Sequence, residues 1–175
     1  MAYILQSHLL ISYPRPYIQN CALTNADWAS NETDRKSISC YCFYHLGALV
    51  SCFAQKQKVV AASSTKAEYY SLSYAPCKGI WMHLFLASLE FLFPAPFPIL
   101  CDNQSALKLA NMDTSSSCLK HINMHYHFIH EKVVDDTFKT SWITTANMTT
   151  NIFTKHLPFP LFSRDCASLG VTPIP

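Results

Sequence analysis

Glycine is almost missing from this chain, with 3 among 175 residues. Tight turns normally use it, because glycine enters the left-handed backbone region without steric cost. Its shortage is therefore a feature to explain. Charge is scarce as well: 14% of residues are Asp, Glu, Lys or Arg, and the formal net charge is +2. That balance is too mild to point to nucleic acid by itself. No apolar run approaches the roughly 20 residues needed to span a bilayer. The longest candidate, Ile80 to Leu100, is broken by Pro94, Pro96 and Pro98, so a membrane protein is not expected.

The 8 cysteines (Cys21, Cys40, Cys42, Cys52, Cys77, Cys101, Cys118 and Cys166) include no CxxC pair. Cys40 and Cys42 lie two apart in an apolar run, which reads as one face of a strand. An even count permits a disulfide framework. However, Met1 to Tyr13 has neither a basic start nor a small-residue cleavage site, so no secretory signal is read there. The expectation is reduced, mostly buried thiols in an intracellular protein of cytoplasm or nucleus.

What is present argues for a folded domain. Half of the residues are hydrophobic and 13% are aromatic, which excludes a disordered tail. A chain of this length is one domain with a real core. No internal repeat or low-complexity linker divides it. We read residues 1–17 as a lead-in, 18–157 as the domain and 158–175 as a C-terminal tail.

Ile18 to Trp28 reads as a strand ending at a polar site, and Asn31 to Lys36 as a turn. Ser39 to Phe53, interrupted at His45-Leu46-Gly47, reads as a hairpin. A long helix should begin near Ser64, with Ser63, Ser64 and Thr65 as cap candidates and Thr65 with Glu68 fitting a capping box. Its pattern runs through Ala67, Tyr70, Tyr74, Ile80, Leu84 and Leu89. Pro76 and Gly79 sit inside it, and a kink near Tyr74 is expected. Pro98 to Cys101 is a short buried-strand pattern, and Asp102-Asn103 caps a helix over Gln104 to Asn111. Ser115 to Ser117 is a loop. His121 to Asp135 reads as a helix, Phe138 to Ile143 as a fifth strand and Thr149 to His156 as a short helix. A hairpin followed by strand–helix alternation suggests an α/β fold, a mixed sheet flanked by helices.

Seven segments then occur in order: Ala26-Asp27-Trp28-Ala29; Arg35-Lys36-Ser37-Ile38-Ser39; Gln55-Lys56-Gln57; Ala62 to Tyr69; Cys101-Asp102-Asn103-Gln104-Ser105-Ala106; Lys120-His121-Ile122-Asn123 with Tyr126-His127-Phe128-Ile129; and Ile152-Phe153-Thr154-Lys155. Together, at compatible spacing, they resemble the ribonuclease H domain that closes the Pol polyprotein of copia-type (Ty1/copia) retrotransposons, here truncated and degenerate. The likeness covers roughly Leu9 to Val171. It implies the ribonuclease H-like fold, a five-stranded mixed sheet with helices on both sides. It also implies an RNA–DNA hybrid as partner and, ancestrally, the reverse transcriptase part of the same polyprotein.

The resemblance implies a chemistry as well. Four carboxylates hold two Mg²⁺ (or Mn²⁺) ions that cut the RNA strand, one activating water and one stabilising the departing 3′ oxygen. Hard cations favour charged oxygen. Position by position, the first acidic residue is Asn25 here, the second Glu68, the third Asp102 and the last Asn151. At the last, Thr150-Asn151 stands for the family's Ala-Asp. Two of four are therefore amides. Two divalent ions about 4 Å apart repel by roughly 4 kcal/mol even at the dielectric of water. With half the compensating charge gone, metal binding and cleavage are expected to be severely weakened. Asp27, two residues after Asn25 and on the same side of a strand, is a candidate substitute ligand. On residues alone, Glu68 is read as a capping-box residue, Asp102 as an N-cap and Asp27 as a turn residue; the resemblance moves the first two to metal positions.

Lys66, Cys40, Cys52 and Pro76 depart from the family pattern too, and the shortage of glycine fits that drift. Three alternatives stand beside the main reading. One is a non-catalytic nucleic-acid binder using Lys56, Lys58, Lys120, His121, His125, His127 and His130, against a plain solvated face. A second is a zinc site at Cys118-x2-His121-x3-His125, which lacks an evident fourth ligand. A third is an open reading frame without a functional product, since no reverse transcriptase, integrase or protease segment accompanies the domain.

Overall fold

The computed structural model describes residues 20–91, 95–112 and 123–171, with the side chains of 123–127 excepted. The lead-in at 1–17, the loop at 115–117, Lys120, His121, Cys118 and the side chains of His125 and His127 lie outside the described residues. So do the zinc reading and most of the proposed histidine surface.

Five strands form one mixed sheet in the order β3-β2-β1-β4-β5. They are β1 (Asn20–Ala26), β2 (Ile38–His45), β3 (Ala48–Lys56), β4 (Phe97–Cys101) and β5 (Phe138–Trp142). β1 pairs antiparallel with β2, and β2 with β3. β1 and β4 are parallel, as are β4 and β5. The hairpin expected between Ser39 and Phe53 is β2–β3, closed by Leu46 and Gly47, both at positive φ. That matches the two-residue turn whose twist suits a hairpin. Ala29, Arg35, Glu90 and Asp136 also take positive φ. Turns that glycine would make without strain are thus made by other residues, at roughly 1–2 kcal/mol each.

α1 (Ser64–Ser88) packs on one face of the sheet with α2 (Gln104–Asn111) and α3 (Asn123–Val134). Its buried seam differs from the expected apolar pattern. Ala67, Ser71, Ala75 and Gly79 recur every fourth residue and are buried, whereas Leu84 and Leu89 are exposed. Small side chains let the helix sit close to the strands. A Cβ on Gly79 would lie 2.8 Å from the Phe138 ring. Helix geometry runs unbroken from Ser64 to Ser88 through Pro76. The expected capping box does not form. Ser63 is the cap, its Oγ accepting from the Lys66 N–H at 3.2 Å, so Glu68 is free for another partner.

β1 is buried on both faces, and its alternation divides the core. Ala22 packs toward α1 among Tyr41, Phe43, Tyr69, Leu72, Phe97, Ile99 and Phe138. Cys21 and Leu23 pack the other way, against Met148 and Leu169. That second face is covered by two 3₁₀ turns, Thr145–Asn147 and Thr149–Phe153, and by α4 (Phe159–Ser168). The helix expected over Thr149 to His156 is therefore a 3₁₀ turn. Thr149, Thr150 and Asn151 are poor helix formers, and the side chains of Thr149 and Asn151 hydrogen-bond elsewhere instead. The segment read as a tail contains α4, with Asp165 and Leu169 buried.

The described cysteines form no disulfide: Cys21, Cys40, Cys42 and Cys101 are buried, Cys52 and Cys77 exposed. Burial pushes the Cys21 and Cys101 thiols up to about 12. Among the described residues no helix is long and apolar enough to cross a membrane.

Candidate active site

The parallel pair β1–β4 creates the site. Thr24 and Cys101 are register partners, so Asn25 and Asp102 follow them at the carboxyl ends of the two strands. Crevices at such ends are where open α/β sheets bind ligands. α1 brings Glu68 to the same end. Its Oε2 accepts the Ala26 N–H at 3.0 Å, which fixes the carboxyl against β1. Among the described residues, one group of potential metal ligands emerges: Glu68, Cys101 and Asp102, with donor atoms within 4.8 Å of one another. The Cys101 thiol stands 4.0 Å from Glu68 Oε2. Burial first, and the Asp102 charge second, push the Glu68 carboxyl up to about 8. Asn103, not Asp102, caps α2, its Oδ1 accepting the Ala106 N–H at 3.0 Å. Asp102 Oδ2 instead accepts the Thr145 hydroxyl at 2.8 Å.

The other two mapped positions meet beside them at the end of β1. Asn25 Nδ2 donates to Asn151 Oδ1 at 2.7 Å. The same oxygen accepts from Lys155 Nζ at 2.8 Å. Asn151 Nδ2 donates to the Thr145 carbonyl at 3.1 Å. Thr145 therefore ties the amide pair to Asp102. The Asn25 backbone carbonyl accepts Ser71 Oγ at 2.6 Å, and Ser71 lies on α1 three residues beyond Glu68. The four mapped positions are brought into one hydrogen-bonded neighbourhood.

These residues do not fit a pair of divalent ions. A carbonyl oxygen has two lone pairs, and both at Asn151 Oδ1 are engaged by an amide and an ammonium. Asn25 Oδ1, buried without a hydrogen-bond partner, keeps its lone pairs but brings no charge. Only the Glu68–Asp102 side keeps carboxylates.

Asp27 is not brought to that group. Its Oδ1 accepts the Ile38 N–H, and its Oδ2 is buried, so it ties the end of β1 to the start of β2. Lys56 pairs with Asp34 at 2.7 Å. It lines a cavity of about 740 Å³ with Asp27, Thr154, Lys155, His156 and Phe162, on the amide side of the site. Sequence reading missed Lys155, Thr145 and Ser71 as site residues. Lys155 carried a signal, since it lies four residues after Asn151 in a helical pattern; Thr145 carried none. Cys40, a departure from the family pattern, sits behind the site with Sγ 3.4 Å from the carbonyls of Asn25 and Thr150.

No family model matches the chain. Two curated relatives align over most of it. One is a retrovirus-related Pol polyprotein from transposon TNT 1-94 of Nicotiana tabacum, 35% identical over 135 residues, 77% of this chain. The other is its counterpart from transposon RE1 of Arabidopsis thaliana, 32% identical over 154 residues, 88% of this chain. The chain spans 10% of the length of each. Among solved structures, the N-terminal ribonuclease H domain of a Mycobacterium tuberculosis protein superposes with a TM-score of 0.51 at 11% identity, covering 86% of this chain and 99% of that one. LC11 ribonuclease H1 in complex with an RNA/DNA hybrid gives 0.52 at 10% identity, covering 74% and 88%. Over most of its length, then, this chain belongs with the copia-type retrotransposon Pol polyproteins, and the stretch it shares with them has the ribonuclease H fold.

Proposed function

We propose that this domain descends from a two-metal RNA–DNA hybrid ribonuclease and that its cleavage is severely weakened or lost. The observation that carries the reading is the occupied oxygen of Asn151, which holds the Asn25 amide at 2.7 Å and the Lys155 ammonium at 2.8 Å. In the ancestral reading that position supplies a charged ligand to a divalent ion. Here it is neutral and its lone pairs are engaged, so no hydrolytic step is derived through a metal pair.

The remaining residues still favour a polyanion. Lys56, Lys155 and His156 line one cavity beside the site. Glu68 and Asp102 retain oxygen ligands suited to at most one hard cation. A hybrid is the expected partner, because a structural neighbour of this fold is in complex with one. The reverse transcriptase part of a longer polyprotein is the expected covalent or docking partner.

The test is hydrolysis of an end-labelled RNA–DNA hybrid with Mg²⁺ and then Mn²⁺. The expected result is little or no cutting. Turnover at the median enzyme rate, about 10 s⁻¹, would overturn the reading.

A further inference from the structure

The residues that remove the metal ligands also release a cation, whose role here rests on the hybrid-binding reading above. Lys155 is exposed, yet its ammonium is anchored 2.8 Å from Asn151 Oδ1. An amide oxygen orients that charge without neutralising it. A carboxylate at residue 151 would pair with it. Among the described residues no carboxylate lies within ion-pairing distance of Lys155, whereas Lys56, the other lysine of the same cavity, is met by Asp34.

The anchored ammonium opens onto the cavity of about 740 Å³ that His156 and Lys56 also line. Asp27 lines it too, but its Oδ1 is taken by the Ile38 N–H and its Oδ2 is shut from solvent. The lysine charge of the wall that no carboxylate meets is therefore that of Lys155. We infer that Lys155 acts as a fixed cation in place of a metal and, with His156 beside it, holds a backbone phosphate of a polynucleotide without any divalent ion. A phosphodiester suits the site because it needs one compensating charge and several donors, and lysine binds phosphate as a point charge.

The decisive measurement is fluorescence anisotropy with a labelled RNA–DNA hybrid in EDTA over a salt series. Wild type should bind, with affinity falling as salt rises. Lys155→Gln should weaken binding by about fivefold to tenfold and reduce the salt slope by about 0.9, the share of one phosphate contact. Asn151→Asp should produce a similar loss in EDTA, because its carboxylate recaptures the ammonium. Adding Lys155→Gln to Asn151→Asp should then cost little more. Circular dichroism confirms that each variant is folded, and Lys155→Met serves as a second neutral replacement. Unchanged affinity in both Lys155 variants in EDTA would overturn the inference. Binding that requires Mg²⁺ would overturn it while leaving the hybrid-binding reading intact. Absence of hybrid binding with and without Mg²⁺ would overturn both.

Discussion

Glu68 and Asp102 are the acidic half of the mapped group, Asn25 and Asn151 the amide half, and the same fold positions all four. The acidic side is strained by its own chemistry. Burial and the neighbouring Asp102 hold the Glu68 carboxyl up to about 8, so at neutral pH it favours the proton. On the amide side Asn25 and Asn151 bond to each other, to the Thr145 carbonyl and to Lys155, and Asn25 Oδ1 alone of their side-chain atoms is left buried without a partner. Exchanging carboxylate for amide removes like-charge repulsion and replaces it with hydrogen bonds. The comparison teaches that a buried acidic cluster costs the scaffold, and that the scaffold survives its partial neutralisation. Its stability comes from elsewhere, in the two apolar clusters either side of β1.

The strongest way to break this asymmetry is to make both sides acidic. Asn25→Asp with Asn151→Asp should raise Mg²⁺-dependent hybrid cleavage by about 10²-fold or more, taking each restored charge-assisted contact as roughly 1.5–3 kcal/mol. In EDTA the same variant should be less stable by about 2–4 kcal/mol, because Lys155 can pair with only one of the two buried carboxylates. Mg²⁺ should then raise its melting temperature. Single-turnover cleavage and thermal melts check both halves.

Glu68→Gln sharpens the comparison by neutralising the acidic side. The folded carboxyl titrates near 8 and its ordinary value is 4.5. Between those values the folded state holds a proton that the unfolded chain has lost. Wild-type stability therefore falls as pH rises from 4.5 to about 8 and is level above that. In EDTA the variant should be more stable than wild type at pH 9, on the order of 1–3 kcal/mol, and no more stable below pH 4.5. Urea melts at the two pH values decide it; parallel curves would refute the buried carboxyl.

Ser71→Ala removes the hydroxyl that links α1 to the Asn25 carbonyl at 2.6 Å. A loss of about 1–2 kcal/mol is expected by denaturant unfolding. The smallest effect should come from a turn remote from both sides. Leu46→Gly relieves a positive φ and should stabilise by about 0.5–1 kcal/mol, with hybrid affinity unchanged. If it alters binding, stability and site chemistry are not separable here.

Much of the framework is legible in residue order alone. The Leu46-Gly47 break, the Gln104 to Asn111 helix and the five strands are local signals, set by turn chemistry, caps and period-two alternation. Glu68 is legible as a site residue only through resemblance. Its local context reads as a capping box, a role that Ser63 takes in the folded chain. Lys155 stands in the last of the seven ordered segments, yet its partner oxygen belongs to Asn151, whose amide reads in sequence only as a lost carboxylate.

By itself, the sequence determined the order of elements and set carboxylates at Glu68 and Asp102 and amides at Asn25 and Asn151. These are properties of single residues and of neighbours a few positions apart. Only the tertiary structure decided that Asn25 and Asn151, 126 positions apart, bond to each other, that Asp27 ties the end of β1 to the start of β2, and that Lys155 reaches the Asn151 oxygen. Each of those outcomes depends on which polar atoms compete for the same donor once strands and turns are packed. That competition is settled by distance in space, which residue order does not encode.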